Sequence, residues 1–461
     1  MFRAWGIAVA LLAGFTSRVV AGPYSDVPSA ADPGDPIDIN VHLDYAYEIE
    51  RSAINRERVG LPAGPSDPVP VIKDLVFHSA RHLLTPALEI GIFHDLWIAA
   101  ALPITIRQSR SIKFDQRSTP CSFVGPDASC VNATNSSSVL DGLLPTNGFD
   151  AEDPAGFAPG DDDIFHGPAR KGVDQLDLGI GIAPMNQRRD DTKPTWKINL
   201  TVGIPVGKPA RLNRDAPGNQ TSVGSGVYTL KLSTSIARRI GWAEPFFALW
   251  WHAPFKAKDD SPFRDFGFGS RRSLPQQQAG VHFGFEAIIV DRPADSTRVG
   301  LELSSRINAR FEGRAYTPMW EAFAYAGDVR HGGPLVIDED PVVSGVQGIS
   351  HPGVTDVENY LELGARAAVR AEIGPHVHLA GFASLSTATQ HVISFDDAGV
   401  DRPTCTATRT ANCETEANDL VNPGTAEVNP LHVPLVDLVG HRFISDDNLA
   451  VSFGVEALFL F

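Results

Sequence analysis

The sequence predicts an all-β protein, a closed antiparallel transmembrane β-barrel of about twelve strands wound as an up-and-down meander. Three observations carry this expectation. Twelve stretches alternate apolar and polar residues, most of them over 10–15 positions. Soluble strands have a typical length of about 5–6 residues, whereas a tilted strand crossing a bilayer needs about 9–11. The connections between the stretches alternate short and long, and the chain ends on a strand closed by phenylalanine.

The chain opens with MFRAWGIAVALLAGFTSRVVAG. Arg3 precedes an apolar run from Trp5 to Phe15, and Val19-Val20-Ala21 follows with small residues at cleavage spacing. This pattern predicts a signal peptide over 1–21; a buried N-terminal helix is the alternative. The apolar run is about 11 residues, too short for a spanning helix, and no later stretch reaches about 18. Residues 22–36 are then a periplasmic N-terminal segment, and 37–461 form the barrel.

The first strand reads IDINVHLDYAYEIE over 37–50. Ile37, Ile39, Val41, Leu43, Tyr45, Tyr47 and Ile49 fall on one face, and Asp38, Asn40, His42, Asp44 and Glu48 on the other. LLTPALEIGI (83–92) and LWIAAALPITI (96–106) flank the turn Phe93-His94-Asp95. LDLGIGIAP (176–184) and TWKINLTVGIPVG (195–207) flank a polar turn. VYTLKLSTSIA (227–237) and PFFALWWHAPF (245–255) flank RRIGWAE, and AGVHFGFEAIIV (279–290) and RVGLELSSRINARFEG (298–313) flank DRPADST. VENYLELGARAAVRAEI (357–373) and VHLAGFASLSTATQ (377–390) flank Gly374-Pro375-His376, and NLAVSFGVEALFLF (448–461) is last.

Five connections are short: 93–95, 186–194, about 238–244, 291–297 and 374–376. The others are long, at about 51–82, 107–175, 208–226, 256–278, 314–356 and 391–447. A meander then gathers short turns at the periplasmic end and long loops outside. Tyr45, Tyr47, Trp196, Phe311, Phe459 and Phe461 sit toward strand ends, as interfacial girdles do. Lipid cannot satisfy backbone groups, so the first strand must pair with the last. The apolar stripe faces lipid and the polar stripe the lumen. A secreted soluble β-protein, with the apolar face as core, is the alternative.

The net charge of −16 argues against nucleic acid, whose binding rests on Lys and Arg neutralising phosphates. Cys121 and Cys130 form one close pair in the sequence and Cys405 and Cys413 another. In an exported chain such pairs read as loop-bracing disulfides; metal binding is the alternative, but neither loop has His at zinc spacing.

The last strand, VSFGVEALFLF with Phe461 at its end, looks like the C-terminal assembly signal of bacterial outer-membrane proteins. This implies the bacterial outer membrane as location, and the lipid bilayer and the outer-membrane assembly machinery as partners. LEIGIFHDLWIAAALPITI, LDLGIGIAP, INLTVGIPVGKP and GSGVYTLKLSTSIARR resemble the "MetA-pathway of phenol degradation" outer-membrane channel family. That family has leucine-proline-threonine-glycine where this chain has Ile204-Pro205-Val206-Gly207. The resemblance covers roughly 82–255 and the last strand, and the long loops at 107–172, 314–356 and 391–447 depart from it. It implies a channel for small solutes, including aromatic or hydrophobic compounds.

The richest lumen lines lie on two neighbouring strands. One carries Glu302, Ser304, Arg306, Asn308, Arg310 and Glu312; the other carries Glu358, Tyr360, Glu362, Arg366, Arg370 and Glu372. With Asp38, His42 and Asp44 from the first strand, these are the expected pore-lining residues. Opposed charges across neighbouring strands make a mixed-sign wall. Such a wall is either a constriction with a transverse field or a salt-bridged filling, since twelve strands lie between filled and open barrels. His42 and His282 read as hydrogen-bonding lumen residues, and Trp250 and Trp251 as opposite faces of one strand.

GDDD (160–163) and DED (338–340) lack the spacing of a calcium loop, and Gly179-Ile180-Gly181 precedes no helix pattern. No catalytic residues, metal site or cofactor are expected. The leading function is a channel for small solutes. One alternative is a barrel anchor whose braced loops adhere or bind. A more distant one is a membrane-embedded lipid hydrolase, for which His78-Ser79 is the adjacent pair.

Overall fold

A computed structural model describes residues 24–58, 69–115, 131–265, 272–292, 296–338, 345–399 and 429–461, apart from 33, 34 and 159. The expected signal peptide (1–21) and all four cysteines lie outside the described residues.

Twelve antiparallel strands form the wall: β1 Ile39–Glu57, β2 Val71–Phe93, β3 in two pieces (Leu96–Ala101 and Ile104–Phe114), β4 Gln175–Met185, β5 Thr195–Pro205 and β6 Val227–Ala237. They continue as β7 Ala243–Ala257, β8 Gln278–Arg292, β9 Thr297–Arg310, β10 Tyr360–Ile373, β11 Val377–Ala388 and β12 Phe443–Leu460. Each pairs with the next in the chain, and β12 pairs with β1, with Phe459 opposite Val41 and Val455 opposite Tyr45. Phe461 and Ile39 exchange backbone hydrogen bonds of 3.0 and 2.9 Å at this seam. No edge is left open, which is the condition for an all-strand wall in lipid.

Alternation sets the two faces. On β1, Ile39, Val41, Leu43, Tyr45 and Ile49 are exposed outside while Asn40 and His42 are buried inside. Leu200, Leu232, Leu249, Phe283, Leu303, Leu363 and Phe453 extend the same outward apolar belt round the barrel. A continuous exterior of this kind is the surface of a barrel that sits in lipid. Trp251 is on the outer face; Trp250 is on the inner one, beneath the Arg306 guanidinium.

Three strands run well past the belt on the long-loop side, and this corrects the expected loops at 51–82 and 107–175. β1 continues to Glu57, β2 starts at Val71 and β3 reaches Phe114. Short strands Asp163–His166 and Arg170–Val173 pair onto β3 and prolong the wall. Above the lipid the outward residues no longer need to be apolar, so the alternation that marks a strand fades there. The apolar face instead turns inward. Ile54, Leu75, Phe77, Ile112 and Phe114 form a buried core with Leu143, Leu144, Phe323, Phe395, Val436 and Phe443. Three short helices carry part of it: α1 Ser137–Leu140, α2 Trp320–Ala326 and α3 Pro434–Asp437. The described parts of the expected loops at 314–356 and 391–447 therefore build much of a packed cap over the barrel mouth.

Candidate functional site

The lumen has two levels. Its short-turn half is crossed by a seam of ion pairs running from β7 to β12. Arg298 reaches Glu244 (3.1 Å), Glu286 (3.4 Å) and Glu372 (3.3 Å). Arg370 donates to Glu302 at 2.6 and 2.8 Å and lies 3.7 Å from Glu456. Arg366 donates to Glu456 at 2.6 Å and covers the Phe382 ring at 4.2 Å. Glu302 and Arg366 are each 3% exposed, so these charges fill space and hold strands in register. His42 meets Glu89 at 3.2 Å in the same layer.

The N-terminal segment runs inside the lumen alongside this seam. Tyr24 stacks on Phe246 at 4.4 Å and its hydroxyl meets His282 Nδ1. Ser25 donates to Glu244 at 2.6 Å, and Lys197 Nζ donates to the Asp26 carbonyl at 2.6 Å. Burial raises the Asp26 carboxyl, but His378, Arg188 and Lys197 more than offset this and hold it below the usual range. Ser29 and Ala30 tie the segment to Asp38, Asp95 and the His94 carbonyl at 2.8 Å each.

Above the seam lies a chamber of about 520 Å³. Its wall presents Glu48, Glu50, Arg81, Arg306, Asn308, Arg310, Tyr360 and Glu362, and its roof presents Thr317 and Trp320 from the cap. Four of the wall charges pair with one another: Arg81 donates to Glu48 at 2.8 and 2.5 Å, and Arg310 to Glu362 at 2.8 Å. Asn308 donates to Glu362 at 2.6 Å. Arg306 lies 4.5 Å from the Trp250 ring centroid, a cation–π geometry. Gly280 is what lets that indole lie flat, since a Cβ there would come within 2.7 Å of Trp250 Cζ2.

The roof is bolted to the wall. Arg110 donates to the Thr317 carbonyl at 2.5 Å, and Arg170 donates to Glu321 at 2.6 Å and to the Gln220, Ser222 and Arg211 carbonyls at 2.9–3.2 Å. Both guanidiniums lie over Trp320, at 5.5 and 4.5 Å. Tyr316 donates to the Gly224 carbonyl at 3.0 Å, and burial pushes its hydroxyl well above the usual tyrosine range.

The expected pore residues divide by level. Arg306, Arg310 and Glu362 line the chamber. His42, Glu302, Arg366, Arg370 and Glu372 belong to the ion-paired layer, and Asp44 is half-buried on the inner face of β1. Asp38 precedes β1 and accepts from Ser29 N. Glu312 and Glu358 lie beyond the ends of β9 and β10; Glu312 pairs with Arg272, and Glu358 is exposed. Both fall outside the chamber lining because their strands stop before them. His78 and Ser79 are consecutive on β2 and so point to opposite faces, Ser79 into the chamber wall; they do not form a dyad.

Glu50, Arg81, Arg110 and Arg170 line the chamber without having been picked out from the sequence. Arg81, Arg110 and Arg170 stand in the stretches read as loops. The available signal was the polar residue at every second position, Ser79-x-Arg81 and Gln108-x-Arg110.

No family model matches the chain, and no curated protein matches it. Among solved structures, an outer membrane channel from Pseudomonas putida F1 is similar at 9% identity and a TM-score of 0.39, covering 96% of this chain and 100% of that one. A Pseudomonas aeruginosa FadL homologue aligns at 8% identity and TM-score 0.30, over 92% of this chain and 90% of that one. The outer membrane protease OmpT from Escherichia coli aligns at 8% and 0.26, over 92% and 97%. At these values the fold description rests on the strand pairing itself.

Proposed function

We propose that this chain is a channel of the bacterial outer membrane that passes small solutes through the chamber between the cap and the ion-paired seam. The observation that supports this most is the chamber itself. A twelve-strand barrel can be filled by its side chains, yet here about 520 Å³ stays open in the lumen, lined by polar and charged groups. That volume lies in the range of small-molecule sites, roughly 300–1,000 Å³. The apolar belt and the phenylalanine-terminated seam support the membrane setting, and the family resemblance in the sequence agrees with transport. The Tyr24–Ala30 segment stands across the periplasmic exit, so passage requires it to move.

The test is solute-driven swelling of liposomes holding the refolded chain. Entry of small solutes that stops when Ser79→Trp fills the chamber supports the reading. Equal swelling with and without the protein overturns it. A second reading, a barrel that anchors a binding surface, draws on the cap, whose buried core spans all three helices and the ends of four strands. It predicts a partner for the cap and no solute flux.

A further inference from the structure

We infer that the outer wall of β1, β2 and β3 carries a binding site for a phosphate-bearing lipid of the outer leaflet. The inference stands apart from the channel reading and needs only a barrel set in lipid. Alternation puts Arg51 on the outward face of β1, next in phase after the exposed Ile49. Arg51 stands opposite His78 of β2, which stands opposite Ser111 of β3. Nearer the belt, His82 of β2 stands opposite Arg107 of β3. The strand Arg170–Val173 pairs onto that stretch of β3, and because Arg170 is buried its exposed neighbour Lys171 points outward. Adjacent strands lie about 4.8 Å apart, so the whole group spans only a few strand widths. Arg51, Arg107 and Lys171 are exposed, and among the described residues none has a carboxylate partner. The carboxylates at the border are engaged, Asp163 by Lys113 at 3.0 Å and Asp446 by Asn55 at 3.2 Å.

The height of the patch selects the ligand. Just below it the wall turns apolar, with Ile106 beside Arg107 and Leu88 and Ile98 deeper, all three exposed. Tyr45 and Tyr47 form a shelf at the same level: Tyr47 stacks on His82 at 4.6 Å, and the Tyr45 hydroxyl meets His82 Nδ1 at 2.8 Å. Aromatic girdles of barrels lie at the headgroups, and the long-loop side is the outer one. In a chain of net charge −16, these clustered cations repel one another until an anion joins them. A guanidinium donates two parallel hydrogen bonds to phosphate oxygens, and basic clusters at a bilayer surface attract anionic headgroups. A ligand that meets these cations while its chains cover Ile98 and Ile106 is a lipid with phosphate in its headgroup.

The experiment is native mass spectrometry of the full refolded chain in detergent, titrated with an acylated diglucosamine lipid bearing two phosphates (lipid A). The same lipid stripped of its phosphates and inorganic phosphate are the comparison probes. The phosphorylated lipid is expected to bind, and the stripped one to bind more weakly by about tenfold or more, as for the loss of two cation–phosphate contacts. Arg51→Gln, Arg107→Gln and Lys171→Gln should each weaken it by about fivefold, and the triple variant by about a hundredfold. Arg107→Lys keeps the charge and should retain most of the affinity, which covers the case that the glutamine variant misfolds. Lys256→Gln removes an exposed cation from β7, away from the patch, and should leave binding unchanged. No retention of the phosphorylated lipid, equal retention of the stripped one, or a triple variant that binds like the parent overturns the inference. An equal loss with Lys256→Gln also overturns it, as general charge attraction, and displacement of the lipid by millimolar inorganic phosphate overturns it in favour of a free anion.

Discussion

Arg370→Met tests the assignment of the short-turn half of the lumen to structural filling. Arg370 gives Glu302 two hydrogen bonds, at 2.6 and 2.8 Å, and Glu302 is only 3% exposed. Two unit charges about 4 Å apart attract by roughly 4 kcal/mol at an effective dielectric of ~20. Removing one member of a buried pair characteristically costs about 3–5 kcal/mol, because the other charge is stranded. Ser304 also donates to Glu302, at 3.0 Å, and so offsets part of the loss. The expected destabilisation is therefore near the lower end, about 3 kcal/mol. The assay is reversible urea unfolding of the refolded barrel in detergent, followed by tryptophan fluorescence. The double variant Glu302→Gln/Arg370→Met removes both charges and should recover most of the stability. A single variant within about 0.5 kcal/mol of the parent, or a double variant no better than the single, would refute the reasoning.

Further perturbations have equally definite outcomes. Deleting residues 22–32 removes the Tyr24–Phe246 stack and the bonds to Glu244 and Asp95, and should raise planar-bilayer conductance with the barrel still folded. Gly181→Ala should destabilise, since a Cβ there would lie 2.2 Å from Trp97 Cε2, whereas Gly381→Ala meets nothing within 4 Å and should be neutral or stabilising by up to about 1 kcal/mol. Urea midpoints distinguish the pair. His351 is 2% exposed in the cap, and burial, with Arg314 nearby, lowers its pKa to about 3. Its folded value lies below the unfolded one of about 6.5, so below that pH the unfolded state takes up a proton that the folded state refuses. Cap stability is then lost by up to about 1.4 kcal/mol per pH unit as pH falls from about 6.5 toward 3. Burial raises Asp356 and Asp437 to about 6 each, which works in the opposite direction. His351→Asn should therefore make the cap more stable toward acid than the parent, measured by hydrogen exchange of α2.

The wall was legible in the sequence because lipid imposes strict alternation on every spanning strand. Ile39 to Ile49 and Leu449 to Phe461 show it without a break, and the five short turns fall where the polar interruptions are. The chamber was legible only in part. Arg306, Arg310 and Glu362 share a phase with apolar neighbours that mark it. Arg81 and Arg110 do not, because their strands climb out of the lipid into the cap, where Leu75, Phe77 and Ile112 turn inward. Which charges pair and which face open space depends on registers such as Ser304 opposite Arg366 and Arg306 opposite Gly364, and no periodicity specifies those. The cap core was hidden for a different reason. Its members come from loops far apart in the chain, among them Leu143, Phe323 and Val436, and they have no common period.

The most direct test of the central claim is single-channel conductance of the chain lacking residues 22–32, measured beside the same chain carrying Ser79→Trp. Ser79 faces the chamber from β2, two residues along the same face from Phe77 of the cap core. If the chamber is the solute path, the first protein gives discrete conductance steps and the added indole reduces or abolishes them while the barrel stays folded. Steps of equal size in both proteins would place the path elsewhere and contradict the account.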